Sequence, residues 1–175
     1  PLNLAPTAST TAQMALGDAL AVALLDARGF KADDFARSHP GGALGRKLLT
    51  LVSDVMRSGD GVPSVLPDVG FGELMQEMSR KGLGATAVVD ANRQVLGIFT
   101  DGDLRRLVEK GLDLRQTTAA EVMHPAPRTV QADALAVEAA DMMEQHRITS
   151  VLVVDAQGVL CGALNSNDLM RAKVI

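Results

Sequence analysis

The sequence predicts an α/β (α+β) chain in which two β-α-β-β-α units are related by a pseudo-twofold axis and follow a mostly helical segment. Two observations carry that expectation. The first is an internal repeat: "SDVM" at 53–56 returns as "AEVM" at 120–123, "ATAVVD" at 85–90 as "SVLVVD" at 150–155, and "GIFTDGD" at 97–103 as "GALNSND" at 162–168. From Val62 onward the offset is a constant 65 residues, and two extra residues in the "RSGDGVP" turn make it 67 at the Val-Met step. Self-similarity of this kind signals one structural unit used twice. The second observation is the stretch 1–50, which has no counterpart in the repeat. The expected divisions are therefore 1–50, 51–115 and 116–175.

In the leading segment, "AQMALGDALAVALL" is apolar nearly all round, with Ser9, Thr10 or Thr11 to cap a helix and Gly29 to stop it. Such a helix is normally interior to a larger domain. Either the rest of that domain lies outside this chain or another subunit covers the helix. Asp18 and Asp26 interrupt the longest apolar stretch, "MALGDALAVALLDARG", which is expected to fall short of the ~20 apolar residues of a membrane span. It also lacks a basic leader and a small-residue cleavage site, and a chain that opens at Pro1 reads as a piece excised from a longer protein. "PTASTT" at 6–11 offers hydroxyls ahead of the helix, either a sugar-phosphate cradle or a plain capping cluster. In "FARSHPGGALGRKL", His39 stands beside Pro40, Gly41 and Gly42. A loop that stiff holds an imidazole in place, as a general acid or base requires, although a lone histidine is also an ordinary surface residue.

Each repeated unit reads the same way. A helix follows Asp68, with Phe71, Leu74, Met75 and Met78 at i, i+3, i+4 and i+7, and the second copy sets Ala136, Ala139, Ala140 and Met143 at matching places. Gly82 ends the first of these helices. Two apolar strands joined by a short polar turn follow in each copy, "ATAVVD" with "QVLGIFT" and "SVLVVD" with "GVLCGALN". A second helix then opens at "DGDLRRLVEK", where Leu104, Leu107 and Val108 form its apolar stripe. One unit of about 60 residues buries little surface by itself, so the two are expected to pack sheet to sheet, leaving two related clefts with the strand-to-helix turns at their mouths.

Composition narrows the partners. Hydrophobic residues are 47% of the chain but aromatics only 2%, with no Trp or Tyr, so stacking on nucleic-acid bases is almost unavailable. A formal net charge of −4 argues against nucleic acid or an anionic membrane as partner. A small, locally bound anion remains open. The single Cys161 forms no internal disulfide and reads as a small buried hydrophobe, which fits the cytoplasm. His124 and His146 stand far from each other and from any Cys or acid at ligand spacing, so no metal site and no cofactor are expected.

The "TDGD" turn is the main candidate. Thr100 and Asp103 stand where a strand becomes a helix, with Asp101 between them, and Asn165, Ser166 and Asp168 repeat the place in the second copy. Helix-start N–H groups favour a phosphate, and a carboxylate accepts both hydrogens of a ribose diol. Thr-x-x-Asp is equally a capping box, which stabilises a helix by roughly 0.5–2 kcal/mol without any ligand. Arg105 and Arg106 either neutralise a ligand phosphate or are simply solvated. Asp68 and Glu121 read first as capping or surface acids.

These motifs resemble a known family. The repeated ending of glycine, hydrophobic residue, x, Thr, x, x, Asp, with "DVM" and "VVD" before it, resembles the CBS (cystathionine-β-synthase-like) motif, so 53–175 look like a tandem CBS pair. "NLAPTASTTAQMALGDALAVALL" and "FARSHPGGALGRKLL" resemble the last part of a sugar isomerase (SIS) domain, and this domain order is similar to that of the D-arabinose 5-phosphate isomerase family. The resemblance implies a parent enzyme that interconverts D-ribulose 5-phosphate and D-arabinose 5-phosphate for Kdo and lipopolysaccharide biosynthesis. It places His39 on the family's active-site histidine, with the other catalytic groups upstream, so this chain alone is expected to be inactive. It implies nucleotide ligands for the pair, with Thr100 and Asp103 as ribose and phosphate contacts and further contacts at Asp68 and Glu121. The second copy departs from the pattern at Asn165 while retaining Asp168, which loses the second site or alters its ligand. Pathway logic favours CMP-Kdo as effector over AMP- or ATP-like nucleotides. The chain's own SIS domain and other copies of the CBS pair are the expected protein partners, and the alternative is an oligomerisation module that binds no ligand.

Overall fold

The computed structural model describes residues 5–38 and 42–175. The leading segment forms α1 (Thr7–Ala27), α2 (Ala32–Ser38) and α3 (Ala43–Leu49). The capping expectation fails at α1. Its N-cap is Pro6, and Thr10 and Thr11 donate their hydroxyls to the carbonyls of Pro6 and Thr7 inside the first turns. The hydroxyl cluster therefore belongs to the helix instead of standing ahead of it. Gly29 ends the helix as expected, in the left-handed region at φ 62°. No residue of α1 is buried, and Met14, Leu16, Leu20 and Val22 are each at least 60% exposed. At 21 residues α1 is also long and apolar enough, by length and composition alone, to cross a membrane, against the expectation that the stretch falls short.

The first unit consists of β2 (Ser64–Val65), α5 (Phe71–Lys81), β3 (Ala85–Val89), β4 (Val95–Thr100) and α6 (Asp101–Glu109). The second repeats it as β6 (Thr129–Gln131), α8 (Ala136–His146), β7 (Ser150–Val154), β8 (Leu160–Asn165) and α9 (Ser166–Arg171). Helix α5 buries Leu74 and Met78, closes at Gly82 (φ 60°) and begins after Gly70, so Asp68 stands exposed in the preceding turn and does not cap it. In both units the middle strand is buried on both faces, as an inner strand covered by a helix layer and by a second sheet must be. Ala85, Ala87, Val89 and Ile98 pack against Leu152, Leu160 and Ala163 between the two sheets. Outside them, Leu74, Met78 and Phe99 form one flanking core, and Ala136, Ala139, Met143 and Leu164 the other. Phe71 meets Phe99 edge-on at 5.8 Å in the first of these cores. Cys161 is half-buried on the edge of the second, its thiol donating to the Val153 carbonyl at 3.5 Å, and burial pushes its pKa up.

Between these elements lies an exchange. The short α4 (Val52–Val55) and β1 (Arg57–Ser58) precede the first unit but join the second: β1 pairs with β8, giving the order β1-β8-β7-β6. Likewise α7 (Ala119–Val122) and β5 (His124–Pro125) precede the second unit and join the first, in the order β2-β3-β4-β5. Backbone bonds seal both transfers, from Val52 N to Ala134 O (2.8 Å) and from Ala119 N to Val69 O (2.9 Å). Val52 and Ala119, each fully buried, sit in the core of the unit they join.

Two glycines make room for this exchange. A Cβ on Gly97 of β4 would come within 2.9 Å of Met123 Cβ, and one on Gly162 of β8 within 3.0 Å of Met56 Cγ. Both methionines come from the repeated Val-Met step and lie flat against the strand that receives them. We predict that Gly97→Ala costs about 1–3 kcal/mol through overpacking, read as a lower urea midpoint, whereas Gly72→Ala, which meets nothing within 4 Å, leaves the midpoint unchanged or raised.

Candidate functional site

At the end of β4 the strand direction and the helix start put Thr100 and Asp103 in one hydrogen-bonded turn. Thr100 is the N-cap of α6, and its hydroxyl oxygen accepts from Asp103 N at 3.2 Å. The Asp103 carboxylate accepts in return from Thr100 N at 2.9 Å and from the Thr100 hydroxyl at 2.6 Å. Its other oxygen accepts from Arg106 at 2.6 Å, through a side chain that is 64% exposed. The capping box that Thr-x-x-Asp allows is thus complete. Burial pushes the Asp103 carboxyl up, but the hydrogen bonds from Thr100 and Arg106 outweigh it and hold the group below the ordinary carboxylate range.

A cleft of about 850 Å³ opens beside the same turn. Its walls come from both units: Gly84, Thr100, Asp101, Gly102, Asp103, Arg105 and Arg106 on one side, and the segment from His146 to Ser150 on the other, with His124 from the exchanged strand and Arg128 from the loop after it. Four arginines (Arg105, Arg106, Arg128, Arg147) face two aspartates, so a chain of net charge −4 carries a locally cationic cavity. The volume lies in the range of small-molecule sites. Arg147 sits at φ 53°, the left-handed position that glycine fills at the end of α5, and a side chain there costs about 1–2 kcal/mol of backbone strain. Arg147 is one of the residues that line the cavity.

The related turn in the second unit is built alike and surrounded differently. Asn165 caps α9, accepting from Asp168 N at 3.0 Å, while Asp168 accepts from Asn165 N at 3.1 Å. Both side chains are buried, and Ser166 stands half-buried beside them. Asp168 is also held by Arg57, from Nε to Oδ2 at 3.0 Å and from Nη2 to Oδ1 at 3.3 Å.

The remaining candidates fall elsewhere. Asp68 and Glu121 do not line the cleft. Glu121 closes a capping box of its own on α7, accepting from Thr118 N at 2.7 Å, and that bond holds its pKa low. His39 lies outside the described residues. Sequence reasoning passed over Arg128 and Arg147 and weighed His124 and His146 only as metal ligands, yet all four come from distant segments onto one cavity; Arg57, also passed over, stands instead at the second turn. One signal was available: Arg57 and His124 each follow the repeated Val-Met step directly.

The chain belongs to the CBS domain family, whose pattern matches residues 52–110 and 119–175. Over 175 residues it is 55% identical to the arabinose 5-phosphate isomerase KdsD of Pseudomonas aeruginosa and 53% identical to that of Escherichia coli K12. It covers 54% and 53% of those proteins, so it spans about half the length of the curated relatives it matches, aligning with their C-terminal part. Among solved structures, the crystal structure of CBSX2 in complex with AMP is similar with a TM-score of 0.60 and 24% identity, over 70% of this chain and 95% of that one. That likeness shows the fold.

Because the folded-state pKa of Asp103 is depressed, the carboxylate stabilises the fold above its ordinary pKa, and the contribution is lost as pH falls through the folded value. We predict that Asp103→Asn lowers the melting temperature at pH 7, by the equivalent of roughly 0.5–2 kcal/mol. In thermal melts run from pH 7 down to pH 3, the gap between variant and parent narrows at the acid end.

Proposed function

We propose that this chain is the regulatory CBS pair of an arabinose 5-phosphate isomerase and that it senses a nucleotide in the cleft beside Thr100 and Asp103. The observation that carries this reading is the cationic cavity at a helix start with a carboxylate at its mouth. Arginines and outward N–H groups suit a phosphate, and Asp103 can exchange the exposed Arg106 for the two hydroxyls of a ribose at little cost, since exposed ion pairs contribute about 0–1 kcal/mol. Asp101, Arg105 and Arg106 complete that wall. CMP-Kdo, the activated sugar downstream of the parent reaction, is the effector we favour, ahead of AMP- or ATP-like nucleotides, because feedback requires a sensor for the product. The parent interconverts D-ribulose 5-phosphate and D-arabinose 5-phosphate for Kdo and lipopolysaccharide synthesis in the cytoplasm. His39 acts there as its active-site histidine, and the apolar surface of α1 is covered by the rest of the sugar isomerase domain. The piece alone turns over no sugar phosphate.

The complete capping box supports a second reading, in which the pair only holds subunits together and Thr100 and Asp103 serve the helix. Calorimetric titration with CMP-Kdo, CMP, AMP and ATP separates the two. We predict heat from at least one of them, weakened as salt is raised. Arg147→Gly removes a cavity charge while relieving the left-handed backbone, so it is expected to leave the melting temperature equal or higher and to lower affinity about tenfold, the effect of roughly 1.4 kcal/mol. Silence from all four nucleotides, with dimers or tetramers in sedimentation that ignore them, would establish the structural reading instead.

A further inference from the structure

The two strand-to-helix turns have equivalent frames, and the position after the Val-Met step is one at which they differ. Aligning the copies sets Arg57 against His124, directly after the repeated Val-Met step. Strand exchange then delivers each to the other unit's sheet, Arg57 opposite Ala163 of β8 and His124 opposite Ile98 of β4, which are themselves equivalent places. From this shared position the two side chains do different things.

Arg57 bridges the second strand-to-helix turn to the end of α5. Its guanidinium donates twice to Asp168, at 3.0 and 3.3 Å, and a third time to the Lys81 carbonyl at 2.8 Å, where α5 ends. Asn165 adds a second strut, donating from Nδ2 to the Leu83 carbonyl at 3.2 Å, and the Lys81 ammonium donates to the Asp60 carbonyl. The Asp168 side chain is only 8% exposed. In the first cleft the partner of Asp103 is Arg106 of its own helix, which points along the surface, and His124 stands exposed on a wall of the open cavity.

We infer that Arg57 is a built-in occupant of the second cleft, so that the chain takes one nucleotide, in the first cleft only, and the residues at 57 and 124 decide which cleft is open. Two guanidinium N–H groups on one carboxylate stand where the two hydroxyls of a ribose would donate. A ligand entering the second cleft has to break a bidentate, largely desolvated pair and leave Arg57 without its partner, which is strongly unfavourable. A ligand entering the first displaces only an exposed pair. The ligand class rests on the nucleotide reading above; the closure of the second cleft does not.

The test is calorimetric titration of CMP and of AMP into this chain and into the Arg57→His and His124→Arg variants, each checked for folding by circular dichroism. The parent is expected to bind one nucleotide per chain. Arg57→His is expected to bind two, and His124→Arg to bind at least tenfold more weakly in the first cleft. Two sites in the parent, or a folded Arg57→His chain that still binds one, would overturn the inference. Urea midpoints of Arg57→Ala, Asp168→Asn and the double variant test the closure without any nucleotide. A double variant that loses less than the two single losses combined supports it, and strict additivity overturns it. If no variant binds either nucleotide, the nucleotide reading fails and the urea cycle alone decides the closure.

Discussion

The functional geometry depends on two pairings of two residues each, β1 against β8 and β5 against β4. They are short, yet each carries a helical turn whose apolar residue is fully buried in the receiving unit, Val52 in one case and Ala119 in the other. Separating the units would therefore expose sheet edges and open both flanking cores together with the layer between the sheets. The exchange makes one cooperative body of two units that are each too small for a comfortable core. It also fixes what stands beside each strand-to-helix turn, because the residue after the Val-Met step always arrives from the other copy.

That arrangement explains how one repeat produces unequal clefts. The turn itself is constant: a cap residue, an acid three places later, and reciprocal bonds between them in both copies. Its bonds serve the helix first, which leaves the outer side of the carboxylate and the charges around it for the proposed ligand. At the first turn that outer side meets Arg106 on an exposed stem, and at the second it meets Arg57, which is largely buried with it. Charge of one sign is thus present in both places, held loosely in one and locked in the other. Gly82 and Arg147 extend the asymmetry, since the first is the relaxed residue at a left-handed helix end and the second puts a charged side chain at the same backbone position, among the residues that line the cavity.

The parts of this design with a period were legible in the sequence. Phe71, Leu74, Met75 and Met78 mark their helix by spacing, the strands by unbroken apolar runs, and the repeat by its offset, because burial on a regular element imposes regular residues. The exchange was not legible. "RS" and "HP" are too short and too polar to show any alternation, and their register depends on Met56 and Met123 finding Gly162 and Gly97 in the opposite unit. The pair of Arg57 with Asp168 spans 111 residues, beyond any local pattern. The "TDGD" motif marked the strand-to-helix turn that borders the cavity but could not say whether its bonds are turned inward or toward that cavity, since both uses need the same atoms. At α1, hydroxyls that suggest caps were drawn into the helix instead, where each bonds a carbonyl four residues back.

The central claim is that a ligand is received at one of two equivalent turns. Amide chemical shifts followed by nitrogen-15 NMR during titration with CMP and AMP test it most directly. The account predicts that the perturbed amides gather at Gly84, at 100–103, at His124 and at 147–150, while Leu83, Asn165 and Asp168 stay in place. Equal movement at both turns, or movement confined to Asn165 and Asp168, would contradict it.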